Sequence, residues 1–185
     1  MAKVIVLLKD GFEEVEALTV VDYLRRADIE VETVSTNEHI YAEGAHKIIV
    51  KADTMFDDLS EDFDLIYVPG GMPGAKDLSE DKRVLDLISK HHEKGKPLVA
   101  ICAAPIVLEA AGVLKGKTVT SYPGFDKDLE SIGKYSEDLV VVDENIITSR
   151  AAATAGELSF KLIELLKGKE KAKEISDSVL YDRIS

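Results

Sequence analysis

The sequence predicts an α/β protein with a mainly parallel sheet and helices on both faces. Short, continuous apolar runs such as those at 4–8 and 65–68 are typical of strands that are covered on both sides. These runs alternate with stretches of helical periodicity, and strands joined through helices pair in parallel by crossover connections. The chain has 185 residues, of which 45% are hydrophobic, enough for the core of one domain spanning residues 1–185.

The first half of the chain predicts one helix among four strands. The expected strands are 4–8, 29–35, 48–50 and 65–68. The expected helix is 13–27, because apolar residues recur there every three or four positions. Acidic residues open this stretch, and Arg25 and Arg26 close it, which matches the polarity of the helix dipole.

The second half continues the alternation of strands and helices. The expected strands are 98–101, 119, 139–142 and 146–148, and the expected helices are 84–94, 105–111, 154–167 and 172–180. In parallel sheets of this kind, ligands bind beyond the carboxyl ends of the strands. The chain segments that follow residues 8, 68 and 101 are therefore the places to search for a functional site.

Charge and composition exclude several classes of function. The formal net charge is −12, so we expect no nucleic-acid binding through the bulk field of the protein. The single cysteine cannot form an intramolecular disulfide, and no Cys/His set has the spacing of a metal site. No apolar run reaches the length of a signal sequence or a membrane span. We expect a soluble cytoplasmic protein without cofactor, metal or membrane partner.

Cys102 is the strongest candidate for a reactive group. It directly follows the buried run at 98–101, and a helix begins at once, with Pro105 in its first turn. Strand, sharp turn and helix in this order form a nucleophile elbow, here with a thiol in place of a serine. Unpaired amides at a helix start favour the thiolate, so we expect a lowered pKa for this thiol. The alternative is a small core residue, the usual role of a lone cysteine.

Two other segments carry candidate partners for the thiol. Gly70 and Gly71 follow a strand, where their amides could turn outward and form an anion or oxyanion hole; the alternative is a plain turn. In the first helix, Glu13 or Glu16 could place a protonated carboxyl against the thiol. The spacing does not choose between these two glutamates, and compensation of the helix dipole is the alternative for both.

Six segments carry a family resemblance: DGFEEVEAL, VVDYLRRADI, YVPGGMPGAKDL, AICAAP, VTSYPG and ITSR, in this order over nearly the whole chain. Together they resemble the ThiJ/PfpI superfamily, in particular its parkinsonism-associated protein deglycase (DJ-one) branch. The resemblance implies a flavodoxin-like three-layer sandwich and a homodimer. It also implies a stress-protection protein with an oxidation-sensitive cysteine. Its chemistry would be that of a cofactor-free glyoxalase or deglycase, acting on small dicarbonyls or glycated adducts.

The resemblance assigns roles to individual residues. The family's reactive cysteine falls on Cys102, and the glutamate that hydrogen-bonds it falls on Glu16. The backbone amides of the site fall on Gly70, Gly71 and the residue after the nucleophile, Ala103. These assignments give a catalytic pair surrounded by anion-binding amides.

The resemblance also points to three residues of the pocket or the dimer contact. Arg26 matches an arginine associated with the dimer, Tyr122 stands where many relatives have a histidine, and His46 stands where the family often has an arginine. Peptidase-like members carry a histidine directly after the cysteine, where this chain has Ala103. A cysteine peptidase or amidase would therefore lack its base. A non-enzymatic redox sensor or chaperone is the other alternative.

Overall fold

The computed structural model of the chain describes residues 2–60 and 63–183. Its strands are β1 (Lys3–Leu8), β2 (Glu30–Ser35), β3 (Tyr41–Glu43), β4 (Ile49–Lys51), β5 (Thr54–Met55), β6 (Leu65–Val68), β7 (Leu98–Ile101), β8 (Thr118–Val119), β9 (Lys134–Tyr135), β10 (Val140–Asp143) and β11 (Ile146–Ser149). Its α-helices are α1 (Glu14–Arg26), α2 (Gly74–Glu80), α3 (Lys82–Glu93), α4 (Pro105–Ala110), α5 (Ala155–Lys167) and α6 (Lys169–Ser178).

A seven-stranded sheet forms the centre of the fold. Its strand order is β10-β11-β7-β6-β1-β2-β5. All neighbours in this order pair in parallel except β10, which lies antiparallel to β11 at one edge. The remaining strands form two small pairs outside this sheet, β3 with β4 and β8 with β9. The predicted mainly parallel sheet is confirmed.

Helices cover the sheet on both faces and bury its apolar side chains in two clusters. One cluster joins β1 to α1, α5 and α6, and the other joins β1 to α2, α3 and α4. Alternate residues of β1 enter opposite clusters, with Val6 on the first side and Ile5 on the second. Because both faces of the strand are buried, its apolar run has no polar interruption. The three-layer flavodoxin-like arrangement predicted above is confirmed.

The elements that the sequence did not predict are short. Strands β3, β5 and β9 contain only two or three residues, too few to display an alternating pattern. Helix α2 has seven residues and begins next to Pro73, so turn signals dominate its start. In the described part of the chain the longest helices have 13 residues, and none is long and apolar enough to cross a membrane.

The sheet topology determines where the candidate residues meet. The chain leaves β1 towards β2 on one side, whereas it leaves β6 towards β7 on the other side. The strand order therefore reverses between β1 and β6, and ligands bind beyond the carboxyl ends of strands at such a point. The start of α1, the Gly70-Gly71 turn and Cys102 all follow these strand ends.

The burial of α5 leads to a stability prediction. Leu162 is fully buried between α5 and the sheet, so Leu162→Ala is expected to lower the free energy of unfolding by about 2–5 kcal/mol. Leu165→Ala, on the exposed side of the same helix, is expected to change it by less than about 0.5 kcal/mol. Urea unfolding of both variants provides the measurement. Equal losses would contradict the packing described for α5.

Candidate active site

Cys102 lies at a sharp turn between β7 and α4. Its φ angle is +63°, in the left-handed region that residues other than glycine rarely adopt. The turn is held on both sides, since the Cys102 N–H donates to Ser149 O (2.9 Å) and the Tyr122 N–H donates to Cys102 O (2.9 Å). The cysteine is partly exposed. The predicted sharp turn between a buried strand and a helix is confirmed, and its strained backbone is typical of functional sites.

Glu16 is the glutamate that meets the thiol. It lies in the first turn of α1 with no exposed surface. Its Oε2 accepts a hydrogen bond from the Gly70 N–H at 2.8 Å. Its Oε1 is buried and has no hydrogen-bond partner among residues 2–60 and 63–183. The interaction of the carboxyl group with the neighbouring Cys102 thiol lowers the pKa of Glu16. Glu13 instead caps the helix, where its Oε2 accepts the Glu16 N–H at 2.8 Å.

Two glycines allow the carboxyl and the thiol to approach each other. A Cβ atom at Gly70 would lie 2.5 Å from Glu16 Oε2 and 2.7 Å from Cys102 Cβ, so no larger residue fits between them. Gly71 has φ +95°, and a Cβ there would collide with the backbone nitrogen of Glu13. The predicted role of Gly70 needs correction, because its N–H is used by Glu16 and is not free for an oxyanion. The amides of Gly71 and Ala103 do reach the sulfur, where they lower the pKa of the thiol.

The environment of Glu16 favours its protonated form. Burial raises the pKa of this carboxyl from 4.5 to about 7, and the negative charge of Glu13 acts in the same direction. The hydrogen bonds from Cys102 and from the Gly70 amide oppose this rise. Glu16 therefore changes its protonation state close to neutral pH, as a group that both donates and accepts protons must do.

The thiol does not have the lowered pKa that its place at a helix start predicts. Burial raises the pKa of Cys102 to about 12, and the charge of the Glu16 carboxylate and its hydrogen bond to the thiol add to this rise. The amides of Ala103 and Gly71 lower the pKa but do not outweigh burial. The prediction that the start of α4 ionises the thiol by itself is wrong, because it left out the desolvation and the neighbouring carboxylate.

The two groups are coupled through one shared charge. A protonated Glu16 no longer repels a thiolate, and its O–H can donate to the sulfur. The pair can therefore hold a single negative charge either on the carboxylate or on the sulfur, and its titration belongs to both residues.

The structure brings Tyr122 to the backbone of Cys102, but it brings neither His46 nor Arg26 there. Tyr122 contacts Cys102 through its backbone, and about half of its side chain is exposed. Arg26 Nε donates to Asp22 Oδ2 at 2.6 Å. Arg26 lies ten residues after Glu16, which corresponds to about 15 Å along the helix axis. Within the described residues, no hydrogen bond or ion pair joins His46 or Arg26 to Cys102.

Sequence reasoning missed Glu14, which is almost fully buried in the first turn of α1. Its Oε1 accepts the His46 N–H at 2.7 Å, and its Oε2 lies 2.9 Å from His46 Nδ1, an interaction that raises the pKa of the imidazole. Glu13, Glu14 and His46 offer atoms within 4.8 Å of one another that could hold a metal ion. Both oxygens of Glu14 already accept hydrogen bonds from the loop around His46, so this cluster holds the loop against α1.

Comparison with known proteins identifies the family. Residues 2–165 match the DJ-1/PfpI family. The chain belongs to the DJ-1/PfpI family. It is 38% identical over 178 residues to Protein dj-1beta of Drosophila melanogaster, with 95% of each chain covered. The crystal structure of Drosophila DJ-1beta has a TM-score of 0.93 at 37% identity, over 97% of each chain.

Two further relatives in the DJ-1/PfpI family differ in length and in name. Protein DJ-1 homolog A of Arabidopsis thaliana is 37% identical over 180 residues, but this chain spans only 46% of that longer protein. The relative in Caenorhabditis elegans is named glutathione-independent glyoxalase DJR-1.2. It is 34% identical over 173 residues, which cover 92% of this chain and 91% of the relative.

The coupling of the two groups predicts the pH profile of Cys102 alkylation by iodoacetamide. In the unmodified protein we expect a first rise in rate near pH 7, where the pair loses one proton, and a second rise at high pH. Glu16→Gln removes the shared proton, so the rise near pH 7 should disappear. It also removes a charge that raises the pKa of the thiol. The one remaining rise in the alkylation rate should therefore occur at a lower pH than the second rise of the unmodified protein. Glu157→Gln, an exposed change on α5, is the control, and a rise near pH 7 that survives in Glu16→Gln would contradict the coupling.

Proposed function

We propose that this protein is a cofactor-free glyoxalase that converts small dicarbonyls such as methylglyoxal to hydroxy acids through Cys102 and Glu16. The observation that carries the proposal is a buried carboxyl with a pKa of about 7 held against a partly exposed thiol. A general acid and base works best when its pKa lies near the working pH. The name of the Caenorhabditis elegans relative supports the same reaction.

The first step forms a bond between the sulfur and the aldehyde carbon. With the proton of the pair on Glu16, the Cys102 thiolate attacks the aldehyde of methylglyoxal. The Glu16 carboxyl gives its proton to the new alkoxide, which yields a neutral hemithioacetal and a carboxylate. The amides of Gly71 and Ala103, which stabilise charge on the sulfur, would also stabilise the developing oxyanion.

The second step is an internal redox exchange. The Glu16 carboxylate removes the hydrogen from the former aldehyde carbon as a proton, and the resulting enediol is protonated at the neighbouring carbon. The aldehyde carbon is thereby oxidised to a thioester, and the ketone carbon is reduced to an alcohol. Water then hydrolyses the thioester to lactate and restores the thiol, so no external oxidant or cofactor is required.

The same pair makes the sulfur sensitive to oxidation. A thiolate is the form that reacts with peroxide, and two oxygens from peroxide convert it to a sulfinate. A protonated Glu16 would donate a hydrogen bond to that sulfinate as it does to the thiolate. Oxidation of Cys102 would remove the nucleophile and so abolish the proposed reaction.

The proposed reaction is tested by lactate formation from methylglyoxal without glutathione. Cys102→Ser and Glu16→Gln are each expected to lower the rate at least about 100-fold, because one removes the nucleophile and the other removes the proton carrier. Glu157→Gln should keep the rate of the unmodified protein. A Glu16→Gln variant with more than half of that rate would contradict the role of Glu16. If the unmodified protein forms lactate no faster than buffer alone, the glyoxalase reaction is rejected, and the non-enzymatic redox sensor is the remaining alternative.

We also infer that the protein forms a homodimer through the exposed face of α1. Val15, Leu18, Asp22 and Arg26 are all exposed and recur at helical spacing, so they lie along one stripe of the helix. Apolar side chains are exposed on two neighbouring turns of this stripe, at Val15 and Leu18. An apolar surface of this kind suits a second copy of the chain, and the family resemblance of Arg26 points to the same face.

The dimer is tested by light scattering after gel filtration. The unmodified protein should have about twice the chain mass of 20.2 kDa. Val15→Asp should be monomeric, and because an acidic residue suits the first turn of a helix, the helix itself should remain stable. Val142→Asp, an exposed change on edge strand β10, should leave the dimer intact. A dimer that survives Val15→Asp would contradict this interface.

A further inference from the structure

Tyr67 is a buried polar residue that the proposed reaction does not use. It lies in β6 with no exposed surface and belongs to the apolar cluster between the sheet and α1. Its neighbours along the strand, Ile66 and Val68, are aliphatic. A tyrosine in such a strand brings a hydroxyl into the core, where it must find a partner.

The partner of the Tyr67 hydroxyl is the backbone of Glu16. Tyr67 Oη donates a hydrogen bond to Glu16 O at 2.9 Å, and the bond is buried. Three residues further along the same segment, the Gly70 N–H donates to Glu16 Oε2 at 2.8 Å. One segment therefore holds Glu16 at two points, by its backbone carbonyl and by its carboxyl group.

We propose that Tyr67 is the positioning residue of the Cys102–Glu16 pair, because its hydroxyl fixes the first turn of α1 so that the Glu16 carboxyl stays beside the thiol. The N–H side of this turn is already held, because Glu13 Oε2 accepts the Glu16 N–H at 2.8 Å and the Glu13 N–H donates to Gly70 O at 2.9 Å. The Tyr67 contact holds the carbonyl side of Glu16, and the position of its hydroxyl is fixed because the ring is packed in the core. The inference rests on the proposed function, because it takes Cys102 and Glu16 as the reacting groups.

The hydroxyl is suited to this task because it remains a donor. Burial raises the pKa of Tyr67 well above its usual value, and the negative charges of Glu16, Cys102 and Glu13 act in the same direction. The phenol therefore keeps its proton around pH 7, where Glu16 titrates. Its contact with the Glu16 carbonyl does not depend on which member of the pair carries the charge.

The test is the rate of Cys102 alkylation by iodoacetamide as a function of pH, which requires no turnover. In Tyr67→Phe the rate at pH 7 should fall about tenfold, the equivalent of one pKa unit, because a displaced carboxyl no longer donates to the thiolate. Ser159→Ala is the matched control, since it also removes a buried hydroxyl that donates to a backbone carbonyl (Ala155 O, 2.7 Å). The control should lose stability but keep the alkylation profile.

A second pair of variants tests whether Tyr67 acts through Glu16. In a Glu16→Gln background, Tyr67→Phe should cause no further change in the alkylation rate. If the Tyr67→Phe variant folds poorly, Tyr67→Met takes its place, because methionine also fills the core without a hydrogen-bond donor. The same fall in alkylation rate is expected for it.

Two results would overturn the positioning role. One is a Tyr67→Phe or Tyr67→Met profile that coincides with that of the unmodified protein. The other is a fall in the alkylation rate on Tyr67→Phe that is equally large in the unmodified and in the Glu16→Gln background. A failed lactate assay would reject the glyoxalase reaction but would not affect this comparison, because alkylation reports on the thiol alone.

Discussion

A carboxyl group without exposed surface, held against a thiol, is the interaction on which the candidate site depends. Burial gives Glu16 a pKa near neutrality, and the same carboxyl controls whether Cys102 can ionise. Neither residue has this property alone, since burial opposes charge on both. The site therefore works as one acid with two possible positions for its charge. This property connects the proton transfers of the proposed glyoxalase reaction with the reactivity of the sulfur.

Several locally unfavourable features of the surrounding structure maintain this contact. Cys102 adopts a left-handed backbone conformation, and Glu16 is desolvated in the core. Gly70 supplies an amide to the carboxyl and leaves no space for a side chain. Such departures from favourable local structure are typical of functional sites, where the rest of the fold must compensate for them.

The strands that position the site could be predicted, because burial on both faces leaves continuous apolar runs; the runs at 65–68 and 98–101 agree with β6 and β7. The elbow at Cys102 could be predicted for the same reason. Spacing could not choose Glu16 over Glu13, since both lie in one helical turn, and family resemblance supplied that choice. The direction of the thiol pKa was wrong because desolvation depends on tertiary packing. Tyr67 left a signal, a hydroxyl in an aliphatic strand, but its partner is distant in sequence.

Carbon-13 NMR can measure whether Glu16 and Cys102 share one charge near neutral pH. The protein is labelled at the carboxyl carbon of glutamate and at the β-carbon of cysteine, and both signals are followed with pH. The Glu16 carboxyl is expected to titrate near pH 7, and the Cys102 signal is expected to move with the same midpoint. A Glu16 carboxyl that titrates near its ordinary value of 4.5 while the Cys102 signal stays unchanged around pH 7 would contradict the shared charge.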